Sequence, residues 1–156
     1  MMMNNLRENS VGFFDTHDAD PRAWKKMGVL ADPLWRGTFP NPFHMAFSHD
    51  SKKAYFVVLR PKPERSNLMI VDLETLQIKK EIHGIARDLQ SAVTSMDGKY
   101  LFVISAGFQK FQSGLFVLDI ETDTPLGFVP APGGHHDIAL IPRTVGDMKY
   151  TRAICM

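Results

Sequence analysis

Residues 95–103 read Ser-Met-Asp-Gly-Lys-Tyr-Leu-Phe-Val, and residues 117–122 read Val-Leu-Asp-Ile-Glu-Thr. Forty-seven residues earlier, residues 48–52 read Ser-His-Asp-Ser-Lys and residues 70–75 read Ile-Val-Asp-Leu-Glu-Thr. Two separate motifs therefore recur at the same offset, with no gap between them. A repeat of about 40–50 residues built from short apolar runs is typical of β-propeller blades, which are four-stranded antiparallel sheets. The repeat predicts an all-β chain made of such blades.

The strand pattern divides the chain into about three blades' worth of structure, with strand A nearest the propeller axis and strand D outermost. Residues 1–11 are expected to be a disordered or extended N-terminus, and residues 12–156 a partial β-propeller. Its four pieces are strands C and D of one blade at 12–31, a full blade at 42–83, a full blade at 89–130, and strands A and B of a further blade at 136–156.

Two local patterns carry further expectations. Gly98 accepts a positive φ without steric cost, so Asp97-Gly98 suits the hairpin between strands A and B. Ser51 takes the place of that glycine in the earlier copy, and its turn is expected to be more strained or of another type. The segment 20–27 fits either a short helix with Asp20 as N-cap or part of a strand, and a helical turn within a longer C–D loop satisfies both.

The composition is that of a folded protein, with 44% apolar and 22% charged residues. A net charge of +1 without a basic cluster argues against a nucleic-acid partner. Cys155 is the only cysteine, so no internal disulfide can form. No apolar run reaches the roughly 18 residues of a membrane span. The first ten residues lack the apolar core of a secretion signal, so the sequence as written predicts a cytoplasmic protein, or a periplasmic one if its true N-terminus is missing.

About three blades cannot close a ring, because propellers close with four to eight blades. Three blades leave two open sheet edges and two apolar faces, which must be covered. A homo-dimer could form a six-bladed ring in which strands C and D of one copy complete strands A and B of the other. The remainder of a longer propeller could cover the same surfaces. The sequence leaves both partners open, and with them the blade number and oligomeric state.

The histidines are the main chemical resource of this sequence. His44 opens strand A of one blade, His135-His136 opens strand A of a later blade, and His83 lies in the connection from a strand D to the next strand A. These positions ring the mouth of the axial channel, so the imidazoles could converge there. A site of several histidines with little carboxylate favours copper. The alternative is that each histidine only caps a strand or a loop.

A resemblance to known propeller families makes the functional prediction more specific. Ser95–Val103 and Leu115–Thr122 resemble the YVTN type of β-propeller repeat, over residues 12–155. Pro42–Phe47, followed by Ile82-His83-Gly84, resembles the propeller of nitrous oxide reductase and of related copper enzymes such as thiocyanate dehydrogenase. The resemblance implies a copper-dependent oxidoreductase acting on a small inorganic substrate. It also implies that His83 is a copper ligand and that His44 and His136, with His135 beside it, face the axis.

Two other functions remain open from the sequence. The chain could be a non-catalytic propeller scaffold for protein–protein interaction, or a truncated remnant of a longer propeller. Asp72 and Asp119 recur at each end of strand C, which indicates a turn-stabilising role rather than acid–base catalysis. No catalytic residue is identified by these patterns, and the metal and substrate are not determined by them.

Overall fold

The fold is known from a computed structural model, which describes residues 2–5, 10–31, 42–59, 66–85, 88–107, 113–132, 137–145 and 148–155. These residues form the strands β1 (Met2–Asn5), β2 (Ser10–Asp15), β3 (Lys25–Ala31), β4 (Pro42–Phe47), β5 (Lys53–Leu59), β6 (Ser66–Asp72), β7 (Gln77–Ile82), β8 (Leu89–Thr94), β9 (Tyr100–Ser105), β10 (Gly114–Asp119), β11 (Thr124–Pro130), β12 (Ile138–Val145) and β13 (Met148–Cys155).

The strands form four antiparallel sheets, which we number in chain order. The first sheet is β1-β2-β3, the second β4-β5-β6-β7, the third β8-β9-β10-β11, and the fourth the pair β12-β13. Consecutive strands are neighbours throughout, as in the meander of a propeller blade. The predicted all-β class with blade-like four-stranded sheets is confirmed. Within the described ranges, no helix has the length and hydrophobicity to cross a bilayer.

The second sheet is enclosed between the first and the third. Along β5, Tyr55 and Val57 join a core shared with the third sheet, while Phe56 and Val58 join a core shared with the first sheet. Successive strand residues point to opposite faces. Burial of both faces therefore explains why β5 is an uninterrupted apolar run, with every residue from Ala54 to Val58 inaccessible to solvent.

An ion pair between the half-buried Lys53 and the buried Asp123 joins the second and third sheets at the start of β5. The Lys53 Nζ donates to Asp123 Oδ1 at 2.9 Å and to the Ile120 carbonyl at 2.7 Å. Only 16% of the Lys53 side chain and 6% of the Asp123 side chain are exposed. Lys80 Nζ, on β7, donates to the backbone carbonyl of Asp123 at 2.7 Å. These bonds cross about 40 to 70 residues of sequence and hold the two sheets in one relative position.

The A–B turns of the two full blades share one backbone conformation, and so do the C–D turns. Ser51 has φ 58° where Gly98 has φ 72°, so the serine adopts the left-handed conformation of the glycine and its turn is strained rather than of another type. The C–D turns repeat in the same way, with Leu76 at φ 55° and Asp123 at φ 54°. The C–D loop of the first sheet contains a 3-10 turn, Pro21–Ala23, capped by Asp20. This agrees with the expectation of a helical turn within a longer C–D loop in segment 20–27.

Candidate functional site

The first strands of the second, third and fourth sheets lie side by side. Strand β8 contacts both β4 and β12, and β4 and β8 are the edge strands of their sheets. These three strands therefore occupy the place of strand A, nearest the axis of a propeller. His44 on β4 and Ser91 on β8 are separated by the repeat length of 47 residues, so they hold equivalent positions in adjacent sheets. Asp137 directly precedes β12.

A polar cluster joins these three strands, and we call His44, Ser91 and Asp137 the inner-strand site. The Ser91 hydroxyl donates to Asp137 Oδ1 at 2.8 Å, and the Ile138 amide donates to the same oxygen at 2.8 Å. Ser91 is 4% exposed, whereas His44 is half-buried and Asp137 exposed. The site thus combines a buried hydroxyl, an exposed carboxylate and a half-buried imidazole.

The pKa of Asp137 lies below its ordinary value for reasons that the geometry explains. The hydrogen bond from Ser91 lowers it most, followed by the bond from the Ile138 amide. A smaller electrostatic contribution from His44 lowers the pKa of Asp137 further, because the imidazole lies near the carboxylate. Asp137 is therefore an ionised group beside an imidazole, which is a pair of donors suited to a transition metal.

Two of the four predicted metal ligands, His135 and His136, lie outside the described residues. They immediately precede Asp137 in the sequence. Among the residues that the structure describes, no group of three or more His, Cys, Asp or Glu side chains is arranged to hold a metal ion. The predicted copper site therefore stays a prediction, and His44 and His83 are its two members among the described residues.

His83 lies in a different environment from His44. It directly follows β7, whereas His44 is on β4, at the opposite edge of the four-stranded second sheet. Three strand spacings of about 4.8 Å separate the two edges, or about 14 Å. The buried Asn67 Nδ2 is 2.9 Å from Glu81 Oε1 and 2.9 Å from His83 Nδ1. His83 is thus part of a hydrogen-bonded group on the outer strands.

The recurring turn carboxylates have structural partners. Asp72 Oδ1 accepts from the Thr75 amide and hydroxyl at 2.8 and 3.0 Å, and Asp119 accepts from Thr122 in the same way at 2.8 and 2.9 Å. The backbone amides of the two threonines contribute most to lowering the pKa of each aspartate. Both carboxylates serve as turn acceptors, which agrees with the interpretation of their recurrence.

Ser91 and Asp137 were not among the predicted site residues. The signal for Ser91 was the repeat itself, because adding 47 to His44 gives its position in the next blade. Asp137 adjoins the predicted histidines, and only the packing of β4, β8 and β12 brings it toward His44. Of the remaining histidines, His17 and His49 are exposed and lie in loops or turns.

Comparisons with known proteins bear on the fold. No protein-family model matches the chain, and no curated protein matches it in sequence. Among solved structures, hydrazine synthase of Kuenenia stuttgartiensis is similar with a TM-score of 0.64 and 20% identity, over 99% of this chain and 42% of that one. Sqt1 of Saccharomyces cerevisiae has a TM-score of 0.71 and 8% identity, over 99% of this chain and 38% of that one.

A putative 6-phosphogluconolactonase from Bacteroides uniformis is similar as well, with a TM-score of 0.64 and 17% identity, over 90% of this chain and 40% of that one. These structures are propeller-like, and the β-propeller part of the resemblance is confirmed. The chain spans about two fifths of the length of the solved structures that it matches. This chain is therefore a partial β-propeller, and at such low identities the similarity extends to the fold alone.

Proposed function

We propose that this chain is part of a metal-binding β-propeller of the copper-dependent redox type, with its metal at the inner-strand site. His44 and the adjacent pair His135 and His136 would supply imidazole ligands, and Asp137 a carboxylate. The observation that supports the proposal most directly is the position of the Asp137 carboxylate beside His44, held there by the buried Ser91 hydroxyl.

The donor set fits a transition metal. Imidazole nitrogens suit copper, zinc and iron, and a ligating carboxylate is usually held by a hydrogen bond from its other neighbours. Ser91 provides such a bond to Asp137 Oδ1 at 2.8 Å. Copper is favoured by the resemblance to the nitrous oxide reductase group, and when bound it would supply one-electron chemistry toward a small inorganic substrate. His44 and Asp137 would hold and orient the metal, while Ser91 would position the carboxylate.

Metal stoichiometry tests the proposal. The purified chain is reconstituted separately with Cu(II) and Zn(II), dialysed, and analysed for bound metal per chain, with electron paramagnetic resonance of the copper sample. We expect copper to be retained by the unaltered chain and largely lost in His44→Ala and in His136→Ala. His49→Ala is the matched control, since His49 is an exposed turn histidine. The proposal fails if the unaltered chain retains no transition metal or if His44→Ala retains it undiminished.

A His83→Ala variant distinguishes two ligand sets. The resemblance includes His83 among the copper ligands, whereas Asn67 and Glu81 engage His83 at the outer strands. If the inner-strand site alone holds the metal, His83→Ala binds as much copper as the unaltered chain. A loss of copper in His83→Ala equal to that in His44→Ala would instead favour the larger histidine set.

A non-catalytic interaction scaffold is the second candidate function. It is favoured by apolar side chains on open sheet surfaces, including Val29 at 45% and Val129 at 56% exposure. A scaffold would bind its partner equally well with and without metal. Partner binding that is insensitive to a chelator, together with absent copper retention, would favour it over the redox function.

A further inference from the structure

The inner strands of both full sheets carry a β-bulge at the same position of the repeat. In β4 the register with β5 shifts between Pro42 and His44. In β8 the register with β9 shifts between Leu89 and Ala92, and Leu89 lies one repeat length of 47 residues after Pro42. Bulges re-aim side chains and are common next to active sites. The irregularity therefore recurs where the chain places the inner-strand site.

The bulge in β8 fixes the side of the sheet to which Gln90 points. Leu89 and Ala92 both belong to the core that the third sheet shares with the second. Because side chains alternate along a strand and the bulge adds one residue, Gln90 and Ser91 both lie on the opposite side. Ser91 there donates to Asp137, which directly precedes β12. Gln90 thus shares the side of β8 that meets the fourth sheet.

The Gln90 side chain has a hydrogen-bonding amide available to a ligand. The residue is half-buried, and in the part of the chain that the structure describes, no hydrogen bond involves its amide. The neighbouring Ser91 hydroxyl is instead used by Asp137. A glutamine amide offers two N–H donors and a carbonyl acceptor, and it stays neutral. Gln90 can therefore donate a hydrogen bond without adding charge to the site.

The position of Gln90 lies between the two charged or chargeable members of the inner-strand site. Strand β8 contacts β4 on one side and β12 on the other, and these two strands carry or follow His44 and Asp137. Gln90 precedes Asp137 by one repeat length, so each enters the inner strand of its own sheet at the same point. A ligand bound between His44 and Asp137 would therefore lie against β8 at Gln90.

The charge of the proposed metal site favours an anion. Cu(II) carries two positive charges, ligating imidazoles are neutral, and Asp137 supplies a single negative charge. The loaded site keeps a net positive charge, which attracts a small anion. We propose that Gln90 is a substrate-binding residue, whose amide N–H donates a hydrogen bond to a small inorganic anion held at the inner-strand site. The inference rests on the proposed function and adds to it the charge of the substrate and a residue that contacts it.

Azide titration of the copper-loaded chain tests the role of Gln90. The unaltered chain, Gln90→Leu and Gln90→Glu are reconstituted with Cu(II), and sodium azide binding is followed by visible absorption and electron paramagnetic resonance. We expect equal copper per chain and equal spectra before azide is added. A hydrogen bond to a charged acceptor corresponds to about tenfold to hundredfold in affinity, so the Kd for azide should rise by at least about tenfold in Gln90→Leu. Gln90→Glu should weaken azide binding further, because its carboxylate repels the anion.

Gln77→Leu is the matched control, since Gln77 is an exposed glutamine on the outer strand β7 and should leave the azide Kd unchanged. Circular dichroism checks the fold of each variant, and Gln90→Glu, which keeps the length of the side chain, carries the test if Gln90→Leu does not fold.

Copper retention separates the failure of this inference from the failure of the proposed function. A chain that retains no copper overturns both. Retained copper with the same azide Kd in the unaltered chain and in Gln90→Leu overturns the role of Gln90 alone. Loss of copper from both Gln90 variants also overturns it, because Gln90 would then be needed for the metal rather than for the anion. Azide binding to Gln90→Glu as tight as to the unaltered chain would count equally against it.

Discussion

The buried pair between Lys53 and Asp123 offers the sharpest test of how the sheets are held together. Replacing Asp123 by Asn keeps the size of the side chain and tolerates the backbone φ of 54°. It removes the negative charge that Lys53 Nζ contacts at 2.9 Å. Breaking a buried pair by removing one partner costs about 3–5 kcal/mol, because the remaining charge is left uncompensated.

The structure places the expected loss at the lower end of that range. Lys53 keeps its bond to the Ile120 carbonyl at 2.7 Å, and Lys80 keeps its bond to the backbone carbonyl of residue 123. We expect Asp123→Asn to lower the free energy of unfolding by about 3 kcal/mol, which corresponds to about 6–12 °C in Tm for a chain of this size. Urea titrations followed by far-UV circular dichroism measure it, with an unchanged m-value showing that the unfolding reaction is the same.

Two further variants make the test specific. Lys79 also lies 3.4 Å from Asp123 Oδ2, but its side chain is 51% exposed, so Lys79→Met should cost at most about 1 kcal/mol. The double variant Lys53→Met with Asp123→Leu should regain most of the loss, since Leu76 already occupies the equivalent turn position at φ 55°. The reasoning is refuted if Asp123→Asn costs less than Lys79→Met, or if the double variant is less stable than Asp123→Asn alone.

Two smaller predictions concern the turns. Ser51→Gly should raise the free energy of unfolding by about 0.5 kcal/mol in the same titration, because relief of the left-handed serine at φ 58° exceeds the entropic cost of glycine; a loss of stability would contradict it. Asp119→Asn should destabilise the chain at pH 7, because the Thr122 bonds lower the pKa of Asp119 and stabilise its charged form. The difference in the free energy of unfolding between the unaltered chain and Asp119→Asn should shrink as pH falls from the ordinary carboxyl pKa of about 3.9 through the lowered folded value. A difference that stays constant down to pH 2 would argue against the turn role of Asp119.

The proposed copper site shows how far the sequence alone predicts the residues that could carry chemistry. The sequence alone predicted that His44 lies on a strand A and that residue 91, one repeat length later, holds the equivalent position in the next blade. His83 looked equivalent because it precedes a strand A in the chain. In the structure, His83 Nδ1 lies 2.9 Å from the Nδ2 of Asn67, which is 16 residues earlier and also contacts Glu81. Side-chain partners of this kind depend on cross-strand register, which the repeat does not specify.

By itself the sequence determined the class of fold and the length of its repeating unit, because a strict 47-residue offset and alternating apolar runs allow few other architectures. It also determined the turns, since Asp, Ser and Gly act on their own backbone within a few residues. Only the tertiary structure decided that Ser91 and Asp137 join His44, that Lys53 reaches Asp123, and which sheet faces remain open. These contacts join residues about 45 to 95 positions apart, and their partners are chosen by how the sheets stack and not by any local preference of the chain.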